Sequence, residues 1–127
     1  MHLRIYLDDL REAPEGWERT HSAAETIFLL EHATEPVVEL SLDHDLGICR
    51  SCREEGFTLA ALYGCEHVGN GNDVLVWVEE QVFTDPDYIP PRITVHSGNP
   101  VARQKMEQGI VHIHKELERR LQALEER

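Results

Sequence analysis

Apolar and polar residues alternate from the start of the chain. Leu3, Ile5 and Leu7 are separated by Arg4 and Tyr6, the period of a half-buried β-strand, and the run stops at Asp8-Asp9. Glu12, Pro14, Gly16 and Trp17 then mark a loop. Ser22 and Glu25 have capping-box spacing, and Ala23, Ile27 and Leu30 recur at helical spacing up to about His32, before Pro36 ends the element. Val37 to Leu42 is apolar and β-branched, as a buried strand requires, and it too ends in acid, at Asp43-His44-Asp45.

From Gly47 to Asn72 the pattern is broken by Gly56, Gly64, Gly69 and Gly71, so residues 48–72 are expected to be an inserted loop. Asn72 or Asp73 can cap the segment Val74 to Phe83. Its length suits a buried helix, although Val74 to Val78 alone would also serve as a strand. Pro86, Pro90 and Pro91 lead to a further strand, Arg92 to Val95, which ends at His96-Ser97-Gly98-Asn99. Asn99-Pro100 is a strong helix start, and Ile110, Ile113, Leu117, Leu121 and Leu124 carry an apolar stripe towards the C-terminus. Gly109 should weaken that helix by about 1 kcal/mol relative to alanine. The charged end of the helix, from Glu116 to Arg127, is expected to project or to pair with a second copy as a homodimer.

Strands alternating with helices predict an α/β fold with a parallel sheet flanked by helices on both faces, a cysteine-rich inserted loop and a long C-terminal helix. In such sheets ligands bind beyond the carboxyl ends of the strands. All three predicted strands end in polar residues there, and this coincidence is the main sign of a site. Taken singly, the same residues have plainer uses, because Asp, Ser and Asn after strands turn the chain or cap helices.

Length and charge narrow the possibilities. At 127 residues the chain has room for one domain, taken as 1–127. Its 12 Lys+Arg stand against 24 Asp+Glu, a net charge of −12, which disfavours a long duplex nucleic acid as partner. A 41% hydrophobic content excludes a disordered chain, and no apolar run has the length of a membrane span. The first residues read as a strand and not as a signal peptide, so a cytoplasmic location is expected.

Carboxylates gathered in one crevice repel one another unless a cation sits among them or one keeps a proton. A hard divalent ion such as Mg²⁺ suits Asp8, Asp9 and Asp43, with Asp45 a further donor on the same strand end. His44 and His96 can act as base and acid in an in-line displacement at phosphorus. Ser97 and Asn99 are placed to hold phosphate oxygens, and Arg11 and Arg103 are candidate phosphate contacts.

The three cysteines fall in the inserted loop. Cys49-x-x-Cys52, then Cys65 and His67, fit a closed Cys₃His zinc site that would staple the loop. A redox Cys-x-x-Cys pair, or three unligated thiols, are the other readings.

Leu7-Asp8-Asp9-Leu10-Arg11 with Pro14, Gly16 and Trp17, Ser41-Leu42-Asp43-His44-Asp45-Leu46-Gly47, and Val95-His96-Ser97-Gly98-Asn99-Pro100 together resemble the signature blocks of the cyclic-phosphate-processing receiver-like domains. The resemblance covers about Leu3 to Met106. It implies a small receiver-like (flavodoxin-like) sheet, with Asp8 and Asp9 as a metal-binding acidic pair and Asp43 at the receivers' phosphoacceptor position. Ordinary receivers carry a lysine where this chain has His96-Ser97, and His44 beside Asp43 is extra, so phosphorelay signalling is not what the blocks imply. The expectation is a phosphoesterase acting on a small cyclic phosphate, either a cyclic nucleotide or a 2′,3′-cyclic phosphate RNA end. The alternative is a noncatalytic receiver-like module that binds a nucleotide or a protein partner.

Overall fold

A computed structural model describes residues 2–46, 54 and 69–126. In chain order the elements are β1 (Leu3–Leu7), β2 (Glu18–Thr20), α1 (Ala23–His32), β3 (Val37–Leu42), α2 (Gly71–Thr84), β4 (Arg92–Val95) and α3 (Pro100–Glu125). The four strands form one parallel sheet in the order β2-β1-β3-β4. The chain first steps outward from β1 to β2 and then reverses, through β3, to β4. The switch point therefore lies between β1 and β3, and the crevice at their carboxyl ends is where such sheets bind ligands.

One face of the sheet holds the core. Ile5 and Leu7 of β1, Leu40 and Leu42 of β3 and Ile93 of β4 are buried against Ala23 of α1, Val74, Leu75, Val78 and Val82 of α2, and Met106 and Ile113 of α3. Right-handed crossovers put β2-α1-β3 and β3-α2-β4 on this same side, and the backward step from β1 to β2 on the other. That step is made by residues 8–17 without a helix, and its Trp17 lies edge-on to Tyr6 on the second face. The described helices thus form one layer, not the two that alternating elements led us to expect.

Local signals explain most boundaries. The Ser22 hydroxyl accepts from the Glu25 N–H at the start of α1, while the Glu25 carboxylate reaches back to the His21 N–H, one residue earlier than a strict capping box. Asn99 caps α3 by accepting from the Ala102 N–H, with proline at the first helical position. Helix α2 begins earlier than its apolar run suggests. Its cap is Asn70, not Asn72 or Asp73, because Asp73 sits three residues on and returns a hydrogen bond to the Asn70 N–H. Strand β2 carries no apolar alternation of its own. Pairing with β1 and the buried hydroxyl contact between Thr20 and Thr26, 2.6 Å, hold it.

Two glycines mark close approaches. A Cβ on Gly109 would lie 2.8 Å from Leu75 Cδ2, so the residue that weakens α3 also lets α2 pack onto it. Gly71, the first residue of α2, donates its N–H to the His44 carbonyl at 3.3 Å, and a Cβ there would drive into the Asp43 carbonyl. Gly71→Ala should therefore destabilise the protein by about 1–3 kcal/mol, read by denaturant unfolding. Helix α3 runs 26 residues, about 39 Å, and leaves the core at its end, where Leu121 and Leu124 are exposed. Among the described residues no helix is long and apolar enough to cross a membrane. Cys49, Cys52, Cys65 and His67 lie outside the described residues.

Candidate active site

The backbone of each strand-end residue is anchored by its neighbour. The Asp8 N–H donates to the Thr20 carbonyl at 3.1 Å, that of Asp43 to Leu7 at 3.1 Å, and that of His96 to Leu42 at 3.0 Å. The sheet ladder thus continues one step beyond the strands and presents three side chains from β1, β3 and β4 over one crevice. Asp8, Asp43 and His96 each offer a ligand atom there, all within 4.8 Å of one another.

Asp8 is 1% exposed. Its Oδ1 accepts from the N–H groups of Leu10 at 2.8 Å and Arg11 at 2.9 Å, and its Oδ2 faces His96 Nε2 at 3.1 Å. Burial raises its pKa, but the Arg11 and Leu10 N–H bonds and His96 outweigh that and hold it below the ordinary 3.8. Asp43 goes the other way: burial, then the charge of Asp8, push its pKa above 3.8. Burial lowers His96 below 6.5 despite the nearby carboxylates, so the ring is neutral at neutral pH.

The opposed shifts of the two carboxyls have a thermodynamic consequence. A group whose folded pKa is raised binds its proton more tightly when folded, so Asp43 erodes stability as pH rises from 3.8 through its elevated folded value. Asp43→Asn removes that repulsion. At neutral pH it should raise Tm by about 3–5 °C, corresponding to about 1 kcal/mol, and the gain should vanish near pH 3 in thermal unfolding scans.

His96 is held on three sides. Its ring stacks on Tyr6, with centroids 4.2 Å apart and planes within 6°, and its Nδ1 lies 2.7 Å from Ser41 Oγ. Arg11 Nη1 donates to the His96 carbonyl at 3.2 Å, bringing a guanidinium across the crevice. Arg19 donates to the carbonyls of Asp8 and Asp9 at 3.1 and 2.9 Å, tying the acidic turn to β2.

The other expected residues are placed as follows. Asp9 does not join the group of three; its Oδ1 is buried with no hydrogen-bond partner among the described residues. His44 does not join the group of three; its Nδ1 pairs with Asp45 Oδ1 at 2.8 Å. Ser97 Oγ accepts from the Asn99 N–H, and Asn99 Oδ1 caps α3, so both side-chain oxygens are engaged in the local turn. Arg103 pairs with Glu107 on the exposed side of α3. Sequence reasoning passed over Ser41, Tyr6 and Arg19. Only Ser41 gave a signal, as a hydroxyl inside an otherwise apolar strand end.

The order β2-β1-β3-β4, the acidic pair after β1 and the acid after β3 define a receiver-like domain. Residues 3–112 match the model of the cyclic-phosphate processing receiver domain, and the chain belongs to that family. No curated protein and no solved structure matches it.

Proposed function

We propose that the protein hydrolyses a small cyclic phosphate, a cyclic nucleotide or a 2′,3′-cyclic phosphate RNA end, in the crevice over β1, β3 and β4. The observation that carries this reading is the convergence of Asp8, Asp43 and His96 from three strands onto one point. Their opposed environments push the two carboxyls apart, Asp43 above and Asp8 below the ordinary 3.8, as carboxyls with different roles are set apart in active sites.

In this reading His44, oriented through Nδ1 by Asp45, takes the proton of the attacking water at Nε2 as the new P–O bond forms. Asp43 orients the attacking water, and the leaving oxygen takes a proton from solvent as the ring P–O bond breaks. His96 donates from Nε2 to a phosphoryl oxygen in place of Asp8, and Arg11 adds a cation beside it. The proton taken up by His44 then passes to solvent.

The donor set also suits a divalent cation. Asp8 and Asp43, which converge with His96, are hard ligands fit for an ion such as Mg²⁺, and the partnerless buried oxygen of Asp9 on the same turn as Asp8 is a further candidate. Bound there, the ion would neutralise phosphate charge. Structural zinc at Cys49, Cys52, Cys65 and His67 is likewise our proposal, on spacing alone; about one equivalent retained after dialysis supports it, and less than about half counts against it.

The function is tested by incubating the protein with 2′,3′- and 3′,5′-cyclic nucleotides, with Mg²⁺ and with chelator, and resolving the products. A linear monoester from at least one of them supports the reading. Binding without any product would favour the noncatalytic module instead.

A further inference from the structure

Both ring nitrogens of His96 are engaged, and the chemistry of the partners decides which one carries the proton. The Asp8 carboxylate already accepts two backbone N–H bonds through Oδ1, and its Oδ2 can only accept from the ring. Nε2 is therefore the protonated nitrogen of the neutral imidazole, and Nδ1 is left as an acceptor. The group 2.7 Å from Nδ1 is the Ser41 hydroxyl, which can donate.

Ser41 is 7% exposed and sits in β3, in register with Tyr6 of β1. A hydroxyl so buried is a poor candidate for attack on substrate. Its placement matters through the ring: β3 carries Ser41 beneath His96, Tyr6 from β1 supplies the flat surface on which the ring lies, and Asp8 closes the third side. Flipping the ring would break both hydrogen bonds, and turning it out of its plane would break the stack on Tyr6 as well.

We propose that Ser41 is a positioning residue that fixes His96 as the Nε2-protonated tautomer, so that its one N–H points into the crevice and its other nitrogen is kept out of the chemistry. The inference rests on the proposed function only for its effect on turnover; the tautomer itself is a property of the protein without substrate. It also divides the two histidines, because a ring whose Nδ1 is capped and whose Nε2 holds a proton serves as a donor, whereas His44 has only Nδ1 engaged among the described residues.

The test is ¹⁵N–¹H spectroscopy of histidine-labelled protein at neutral pH, with the His96 signals assigned by their loss in His96→Gln. The wild type should show Nε2 protonated and Nδ1 bare. Ser41→Ala, which removes only the hydroxyl oxygen, should move both nitrogens towards tautomer-averaged positions, and Ser41→Thr should restore them. A packing defect alone would not shift the tautomer balance. Turnover by Ser41→Ala should fall about 10–100-fold in kcat with KM little changed, the size of effect seen when a group that orients an imidazole is lost. Unchanged ring nitrogens in Ser41→Ala, or a wild-type ring protonated at Nδ1, would overturn the proposal. A wild type with the expected ring signals but no turnover would overturn the function and leave the positioning role standing.

Discussion

His96→Ala is expected to lower turnover of a cyclic phosphate by about 10²–10³-fold, the cost of removing one fixed donor aimed at developing charge on oxygen. The magnitude follows from the geometry. The ring is stacked on Tyr6, capped by Ser41 and paired with the buried Asp8, so little reorganisation is required when a phosphoryl oxygen replaces the Asp8 oxygen as acceptor. His96→Gln, which keeps a donor without the ring's constraints, should recover part of the loss. The comparison is made in kcat, because a donor that acts mainly on the charged transition state leaves KM largely unchanged. Equal turnover by wild type and His96→Ala would remove this residue from the reaction.

Asp8→Ala should have the largest effect on stability, about 2–4 kcal/mol by denaturant unfolding. The substitution strips the acceptor from the Leu10 and Arg11 N–H groups and from His96 Nε2, and partly buried donors without partners are costly. Relief of the repulsion with Asp43 offsets part of the loss. The pH dependence has a definite sign. Asp8 titrates below its ordinary 3.8 in the folded protein, so its stabilisation is complete above 3.8 and is lost as pH falls through the lowered value. The gap between wild type and Asp8→Ala should therefore narrow in strong acid, while Asp8→Asn, which keeps one acceptor oxygen, should cost less at neutral pH.

Much of this arrangement is legible along the chain, because strands that alternate or run apolar and then stop in acid or histidine announce both the sheet and its functional edge. Leu3, Ile5 and Leu7 before Asp8, Val37 to Leu42 before Asp43, and Ile93 and Val95 before His96 all kept their assigned places. Strand β2 was not legible, since Glu18, Arg19 and Thr20 owe their conformation to β1 and to Thr26 and not to their own hydrophobicity. The start of α2 was placed too late for a different reason: Asn72 and Asp73 are good caps by residue type, and only the reciprocal bond between Asn70 and Asp73 shows that the cap is Asn70.

The site was legible as a set of residues but not as a geometry. Nothing in the order Asp43-His44-Asp45 says that Asp43 meets Asp8 and His96 while His44 turns to Asp45. Ser97 and Asn99 show the limit of reading polar residues at a strand end as ligands, because their side-chain oxygens are engaged by the backbone at the start of α3. Ser41 shows the converse. A hydroxyl within an apolar strand end signals that it has a partner, but only the fold shows that partner to be His96 Nδ1.

The most direct test of the central claim is to titrate the protein with 2′,3′-cyclic AMP and follow the backbone and histidine-ring NMR signals. Shifts concentrated at Asp8 to Arg11, Asp43, His44 and His96 are the expected result. Saturable shifts confined to other parts of the chain, or none at millimolar ligand, would contradict it.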